Sequence, residues 1–163
     1  MFAAAGKRAG KKDLGLIAMS YKNVYVGRVA MGANDAQTLK VFQEAEAHNG
    51  PSLIIAYCPC INHGFDLNSQ LSHQKMAVDS GYWPLLRYNP ALAAEGKAPL
   101  VLDSKKPTIP VAEYIYTENR YKALTRSNPK VAKALADDLQ KEVDARYAFY
   151  EAMSKDTEGL ISL

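Results

Sequence analysis

The chain has 163 residues, enough for one domain with its own core. Hydrophobic residues make up 48% and charged residues 23%, an ordinary globular balance that excludes a disordered or low-complexity polypeptide. The net charge of +3 is spread along the chain apart from one basic cluster, Lys7, Arg8, Lys11 and Lys12. That cluster reads as a solvated terminus, with phosphate or nucleic-acid binding as the alternative, so the expectation is no nucleic acid and no membrane. Two cysteines give no disulfide framework and suit a reducing compartment. No apolar run approaches the ~20 residues of a membrane span. The start lacks the apolar stretch of a secretory signal, although it is basic and free of acids through Lys12, as organellar presequences are.

In chain order, residues 11–21 mix Leu14, Leu16, Ile17 and Met19 with Gly15 and predict a short helix. Tyr25, Val26, Val29 and Ala30 predict a strand ending at Gly32. Asn34 followed by Gln37 has the spacing of a helix cap. The helix from Asp35 to about Ala47 then places Leu39 and Phe42 on one face, with Lys40, Gln43 and Glu44 away from it. Asn49, Gly50 and Pro51 stop it. Strand, helix, strand is a crossover unit, right-handed as a rule.

Residues 68–78 read as a helix, with His73 among polar neighbours and therefore expected at the surface. A strand is predicted at 85–88, a loop with a helical turn at 89–99, and a short strand at 100–102. Trp83 and Tyr88 read as core packing. From Val111 the chain is expected to be helical to its end. Tyr114, Ile115, Tyr121 and Leu124 form one stripe. Asn128 and Pro129 start a second helix, with Asn as cap and Pro at the first position. Its stripe is Leu135, Leu139, Val143, Tyr147 and Tyr150, with Asp137–Lys141 and Glu142–Arg146 as expected i,i+4 pairs. Residues 154–163 are expected to be a frayed tail, and no internal boundary or linker divides residues 1–163.

The chemistry concentrates at 51–64. Leu53, Ile54, Ile55 and Ala56 form an unbroken apolar run, the pattern of a strand covered on both faces in a parallel sheet. Residues 57–64 are then the loop at its carboxyl end, where open α/β sheets place ligands. The loop holds Cys58, Cys60 and His63. The two thiols are separated by Pro59, which disfavours a disulfide, and the spacing is not that of a C-x2-C zinc site. Three readings stay open: buried structural thiols, a zinc site from Cys58, Cys60, His63 and His73, or one thiolate supplied to a cluster whose other ligands lie elsewhere.

Four stretches carry a resemblance: GPSLIIAYCPCINHG at 50–64, VAMGANDAQTLKVFQEAEA at 29–47, AVDSGYWPLLRYNPAL at 77–92 and LDSKKPTIPVAEYIYTENRY at 102–121. They resemble the carboxyl-terminal part of the thiamine-diphosphate domain of pyruvate:ferredoxin (flavodoxin) oxidoreductases, and the likeness runs from Phe2 to about Met153. It includes the basic start, which weighs against a presequence. The resemblance implies an open, mostly parallel α/β sheet with helices on both faces and helices at the carboxyl end. It also implies that Cys60, in the Tyr-x-x-Cys-Ile-x-His-Gly loop, is one ligand of the 4Fe-4S cluster nearest the thiamine, with three cysteines coming from a preceding ferredoxin-like domain. Cys58 stands where the family usually has serine and is not carried over, which leaves a thiol swap or a zinc artefact open.

By the same resemblance, thiamine diphosphate and Mg belong to the full enzyme, with ferredoxin or flavodoxin as acceptor. Its partners would be the remainder of the oxidoreductase or a complementing subunit, in a homo-oligomer, located in the cytoplasm or an anaerobic organelle matrix. The sequence holds no Gly-Asp-Gly followed by Asn and no P-loop or dinucleotide fingerprint. In the family the diphosphate motif lies just upstream of the position matching Phe2, so the expectation is a chain that begins after it and is inactive alone. The contrasting expectation is a non-enzymatic remnant or association module without a cofactor.

Overall fold

The computed structural model describes residues 10–157. Lys7 and Arg8 of the basic cluster, and positions 158–163 of the expected tail, lie outside the described residues. The elements are α1 (Leu14–Met19), β1 (Tyr25–Val29), α2 (Asp35–Ala47), β2 (Ser52–Ala56), α3 (Gln70–Asp79), β3 (Leu86–Tyr88), α4 (Ala91–Ala94), β4 (Leu100–Leu102), α5 (Val111–Ile115), α6 (Asn119–Ser127) and α7 (Pro129–Met153). Two 3-10 turns, Ile61–His63 and Leu67–Ser69, sit between β2 and α3.

The expected open α/β sheet closed by carboxyl-terminal helices is present, with strand order β2-β1-β3-β4. The crossover pair β1 and β2 is parallel, with Gly27 opposite Ile54. The other two pairings, β1 with β3 and β3 with β4, are antiparallel, which makes the sheet mixed. The central strand is β1, all five of whose residues are buried. β2 was expected to be covered on both faces and is not. Among the described residues it stands at the end of the sheet, with Leu53, Ile54 and Ile55 half-buried and Ser52 and Ala56 exposed.

Helices cover both faces. Val26 and Ile55 pack with Met19 of α1 and with Tyr150 and Met153 of α7 on one face. Tyr25, Val29 and Ile54 pack with Val41 and Ala45 of α2 on the other. A third cluster, built on Ala77, Val111, Tyr114, Ile115 and Val143, lies beside the sheet. α7 supplies Val143 to this cluster and Tyr150 to the first, so one long helix ties the two together.

Local signals set the helix ends. Asn34 Oδ1 accepts from the Gln37 amide at 2.9 Å, and Asn128 Oδ1 from the Val131 amide at 3.2 Å, each quenching a free donor of the first turn. The expected apolar face of α2 is corrected. Leu39 and Phe42 are exposed at 61% and 54%, while Gln37 and Val41 are buried. The sheet side of α2 is chosen by polar anchors: Gln37 Nε2 donates to Asp103 at 2.9 Å, and Glu44 accepts from Arg87 at 2.6 Å. Asp137 pairs with Lys133 rather than with Lys141, which reaches Asp138, while the Glu142–Arg146 pair forms.

Gly27 lies in the middle of β1, where α2 approaches closest. A Cβ there would sit 2.2 Å from Val41 Cγ1. Gly27→Ala is therefore expected to cost about 1–3 kcal/mol by overpacking. Adding Val41→Ala should recover part of that loss, so that urea denaturation finds the double variant less destabilised than the sum of the singles. Additive losses would mean that the close contact is not what Gly27 provides.

Candidate functional site

The loop after β2 is fixed at both ends. At its start the Tyr57 amide donates to the Val29 carbonyl at 2.9 Å, continuing the β1–β2 ladder. The Tyr57 hydroxyl meets that of Tyr114, and its ring lies 5.1 Å from Trp83. Trp83 in turn donates from Nε1 to the same Val29 carbonyl at 3.0 Å. At its end Gly64 has φ of +70°, and its carbonyl accepts from the Asn119 amide at 2.9 Å. A Cβ at Gly64 would approach the Asn119 side chain to 3.0 Å, so both the backbone conformation and the space call for glycine.

Between these anchors Cys58, Cys60, Ile61 and Asn62 are exposed. Both cysteines are unbridged, and their exposure disposes of the reading as buried structural thiols. Cys58 turns its thiol toward the Pro59 carbonyl at 3.8 Å. Cys60 heads the turn Ile61–His63, its carbonyl accepting from the His63 amide at 2.9 Å.

Beneath the loop is a polar cluster centred on Glu118, which lies at the junction of α5 and α6 and is 2% exposed. One carboxylate oxygen, Oε2, accepts from His63 Nδ1. The other, Oε1, accepts from His73 Nε2 at 3.1 Å and from the Tyr114 hydroxyl at 3.4 Å. Arg120 donates from Nη1 to His63 Nε2 at 3.0 Å. Guanidinium cannot accept, so Nε2 of His63 must be the bare nitrogen and Nδ1 the one bearing hydrogen.

His73 differs. The Thr117 hydroxyl donates to the Tyr114 carbonyl at 2.7 Å and lies 3.2 Å from His73 Nδ1. His73 thus has a polar partner at each ring nitrogen, Glu118 at Nε2 and Thr117 at Nδ1, as a buried imidazole requires. Phe65 stacks on that ring at 4.5 Å between centroids. Burial pushes the phenols of Tyr57, Tyr82, Tyr114 and Tyr121 above their usual range, so they serve here as hydroxyl groups.

His73 was expected at the surface and is 3% exposed. Its sequence neighbours Ser72 and Lys75 point outward, but Ala77, one helical turn on, is buried with it. The residues of the zinc reading do not converge. His63 and His73 are committed to Glu118, and no group of three His, Cys, Asp or Glu side chains is poised for a metal among the described residues. Sequence reasoning found Cys60 and His63 but missed Glu118, Arg120, Thr117 and the role of Tyr114.

No family model matches the chain. Individual relatives do. It is 55% identical over 153 residues to a pyruvate-flavodoxin oxidoreductase of Trichormus variabilis, a match covering 94% of this chain and 13% of the relative. It is 49% identical over 154 residues to the pyruvate:ferredoxin oxidoreductase of Moorella thermoacetica, again 94% and 13%. It is 46% identical over 154 residues to the mitochondrial pyruvate dehydrogenase (NADP+) of Euglena gracilis, covering 93% of this chain and 8% of that one. The chain thus spans about an eighth or less of the length of these curated relatives. Over nearly all of its own length, this chain is similar to one segment of the pyruvate–flavodoxin and pyruvate:ferredoxin oxidoreductases.

Proposed function

We propose that this chain works as the carboxyl-terminal part of the thiamine domain of a pyruvate:ferredoxin or pyruvate:flavodoxin oxidoreductase. In that setting Cys60 supplies one thiolate to a 4Fe-4S cluster, and the rest of the enzyme supplies the other ligands. The observation that carries this reading is the loop at the carboxyl end of β2, held at both ends while its Cys60 thiol stays exposed, in a chain 49–55% identical to named oxidoreductases.

The donor set suits one ligand and does not suit a whole cluster. Such a cluster takes four cysteinates, whereas the sequence holds two cysteines, and the thiol of Cys58 is turned back on its own loop. When bound, the cluster would supply one-electron transfer toward ferredoxin or flavodoxin. The chain's own part is to hold the loop: His63, anchored by Glu118 and Arg120, fixes the turn that follows Cys60. Thiamine diphosphate and magnesium would be held by the remainder of the enzyme, since Mg²⁺ and a diphosphate need a set of oxygen ligands and no Gly-Asp-Gly motif occurs here.

The chain by itself is therefore expected to be silent. Calorimetric titration with thiamine diphosphate and magnesium should give baseline heats, and pyruvate-dependent reduction of a viologen dye should stay at background. Saturable micromolar binding, or turnover by the chain alone, would contradict the reading.

A further inference from the structure

The outer edge of β2 is built for pairing. The Tyr25 amide donates to the Pro51 carbonyl at 3.0 Å, and the Tyr57 amide to the Val29 carbonyl at 2.9 Å. With Tyr25 opposite Ser52 and Gly27 opposite Ile54, the backbone groups of Leu53 and Ile55 face β1. Those of Ser52, Ile54 and Ala56 then face outward, where β2 is the last strand of the sheet among the described residues. Proteins that leave such an edge in water guard it with charges, proline or a bulge. The strand Ser-Leu-Ile-Ile-Ala carries no charge and no proline, and its five residues pair with β1 in unbroken register.

Both flanks of this edge are apolar as well. On one face α1 lies against β2, with Ile55 Cδ1 3.8 Å from where a Gly15 side chain would begin, and it exposes Leu14 and Ile17. On the other face α2 rests on Ile54 through Ala45 and exposes Phe42 one turn earlier, with Leu39 beyond it. Strand and helices together present the profile of a layered α/β structure that continues past β2.

We infer that the β2 edge is the joint on which the rest of a pyruvate oxidoreductase chain is built. One of its strands pairs with Ser52, Ile54 and Ala56, and its flanking elements cover Leu14 and Ile17 on one side and Leu39 and Phe42 on the other. The inference rests on the reading that this chain works within such an enzyme. It names that occupant because the relatives carry most of their length outside the matched segment, which is 13% of the Trichormus variabilis protein.

The test compares amide exchange in this chain alone with exchange after it replaces the matched segment of the Trichormus variabilis oxidoreductase. Leu53 and Ile55, bonded to β1, should be protected in both. Ile54 and Ala56 should exchange freely in the chain alone and slow by on the order of a hundredfold in the chimera. Ala56→Pro, at an exposed residue whose amide faces outward and which spares the β1 ladder, should leave the melting temperature of the chain alone nearly unchanged and abolish that protection at Ile54 in the chimera. Unprotected Ile54 and Ala56 in a chimera whose Leu53 and Ile55 remain protected would overturn the inference. So would a chimera that fails to fold, or protection of these amides in a dimer of the chain alone, which would assign the edge to a second copy. Iron content of the same chimera reports separately on Cys60: a cluster with an open edge sinks the joint, and a closed edge without a cluster sinks the ligand.

Discussion

Glu118→Ala is expected to be among the most destabilising single substitutions in the chain, costing about 3–5 kcal/mol, because it removes one partner of a buried charged cluster and strands the others. His73 Nε2 and the Tyr114 hydroxyl lose their partner at Oε1, and the His63 Nδ1 hydrogen loses its acceptor at Oε2. Glu118→Gln keeps the shape and one acceptor oxygen, so its cost should be smaller, about 1–3 kcal/mol. Because His63 holds the turn after Cys60, amide exchange in both variants should rise most at 57–66 and least in β1. Denaturation midpoints for Glu118→Ala within experimental error of the unsubstituted chain would show that the cluster is not a structural hub. Uniform acceleration of exchange would show that it does not act on the loop in particular.

Asp13→Ala is expected to have a comparable effect, and its pH dependence has a definite sign. Asp13 Oδ1 accepts from Arg28 at 2.8 Å and Oδ2 from the Tyr150 hydroxyl, and Asp13 also caps α1 through the Leu16 amide. The Asp13 and Arg28 side chains are 16% and 9% exposed, so removing the carboxylate leaves a largely buried guanidinium unpaired, at a cost of about 3 kcal/mol or more.

Burial by itself would raise the Asp13 carboxyl, but Arg28, Tyr150 and the Leu16 amide together hold it below its usual range. A carboxyl lowered in the folded state contributes stability that is complete above its unfolded value, about 3.9, and is lost as the pH falls through its folded value. The gap in unfolding free energy between the native chain and Asp13→Asn should therefore be flat from about pH 5 to 8 and narrow below about pH 4. A gap that widens toward acid would contradict the assignment.

Much of the fold was legible because its signals are local. β4 falls at 100–102 as its apolar triplet says, and Asn34 and Asn128 cap the helices that follow them. Sequence failed where distant partners decide. The sheet side of α2 was assigned to Leu39 and Phe42 because they are its largest apolar residues. The anchors that set it instead are Asp103 and Arg87, more than 40 residues away in sequence. β2 read as doubly covered, yet the described residues leave its outer edge and part of both faces open, and no composition rule reveals which strand ends a sheet. His73 was hidden by polar neighbours, although its spacing to Ala77 already placed it on the inner face of α3. Glu118 carried no signal of its own, since a charged residue between helical stretches reads as solvated until two histidines from other elements are found on it. The Cys60 loop was found early because residue type, strand end and family resemblance pointed to the same place.

The central claim, that Cys60 is the single ligand this chain gives to a cluster, is tested most directly by electron paramagnetic resonance. The measurement compares native, Cys58→Ser and Cys60→Ala forms of this chain, each placed in the oxidoreductase of Trichormus variabilis in place of its matched segment and reduced with dithionite. The account predicts that Cys60→Ala abolishes or shifts the signal of one 4Fe-4S cluster and lowers the iron content, while Cys58→Ser leaves both unchanged. An unaltered spectrum and iron content in Cys60→Ala, or loss of the cluster in Cys58→Ser, would contradict it.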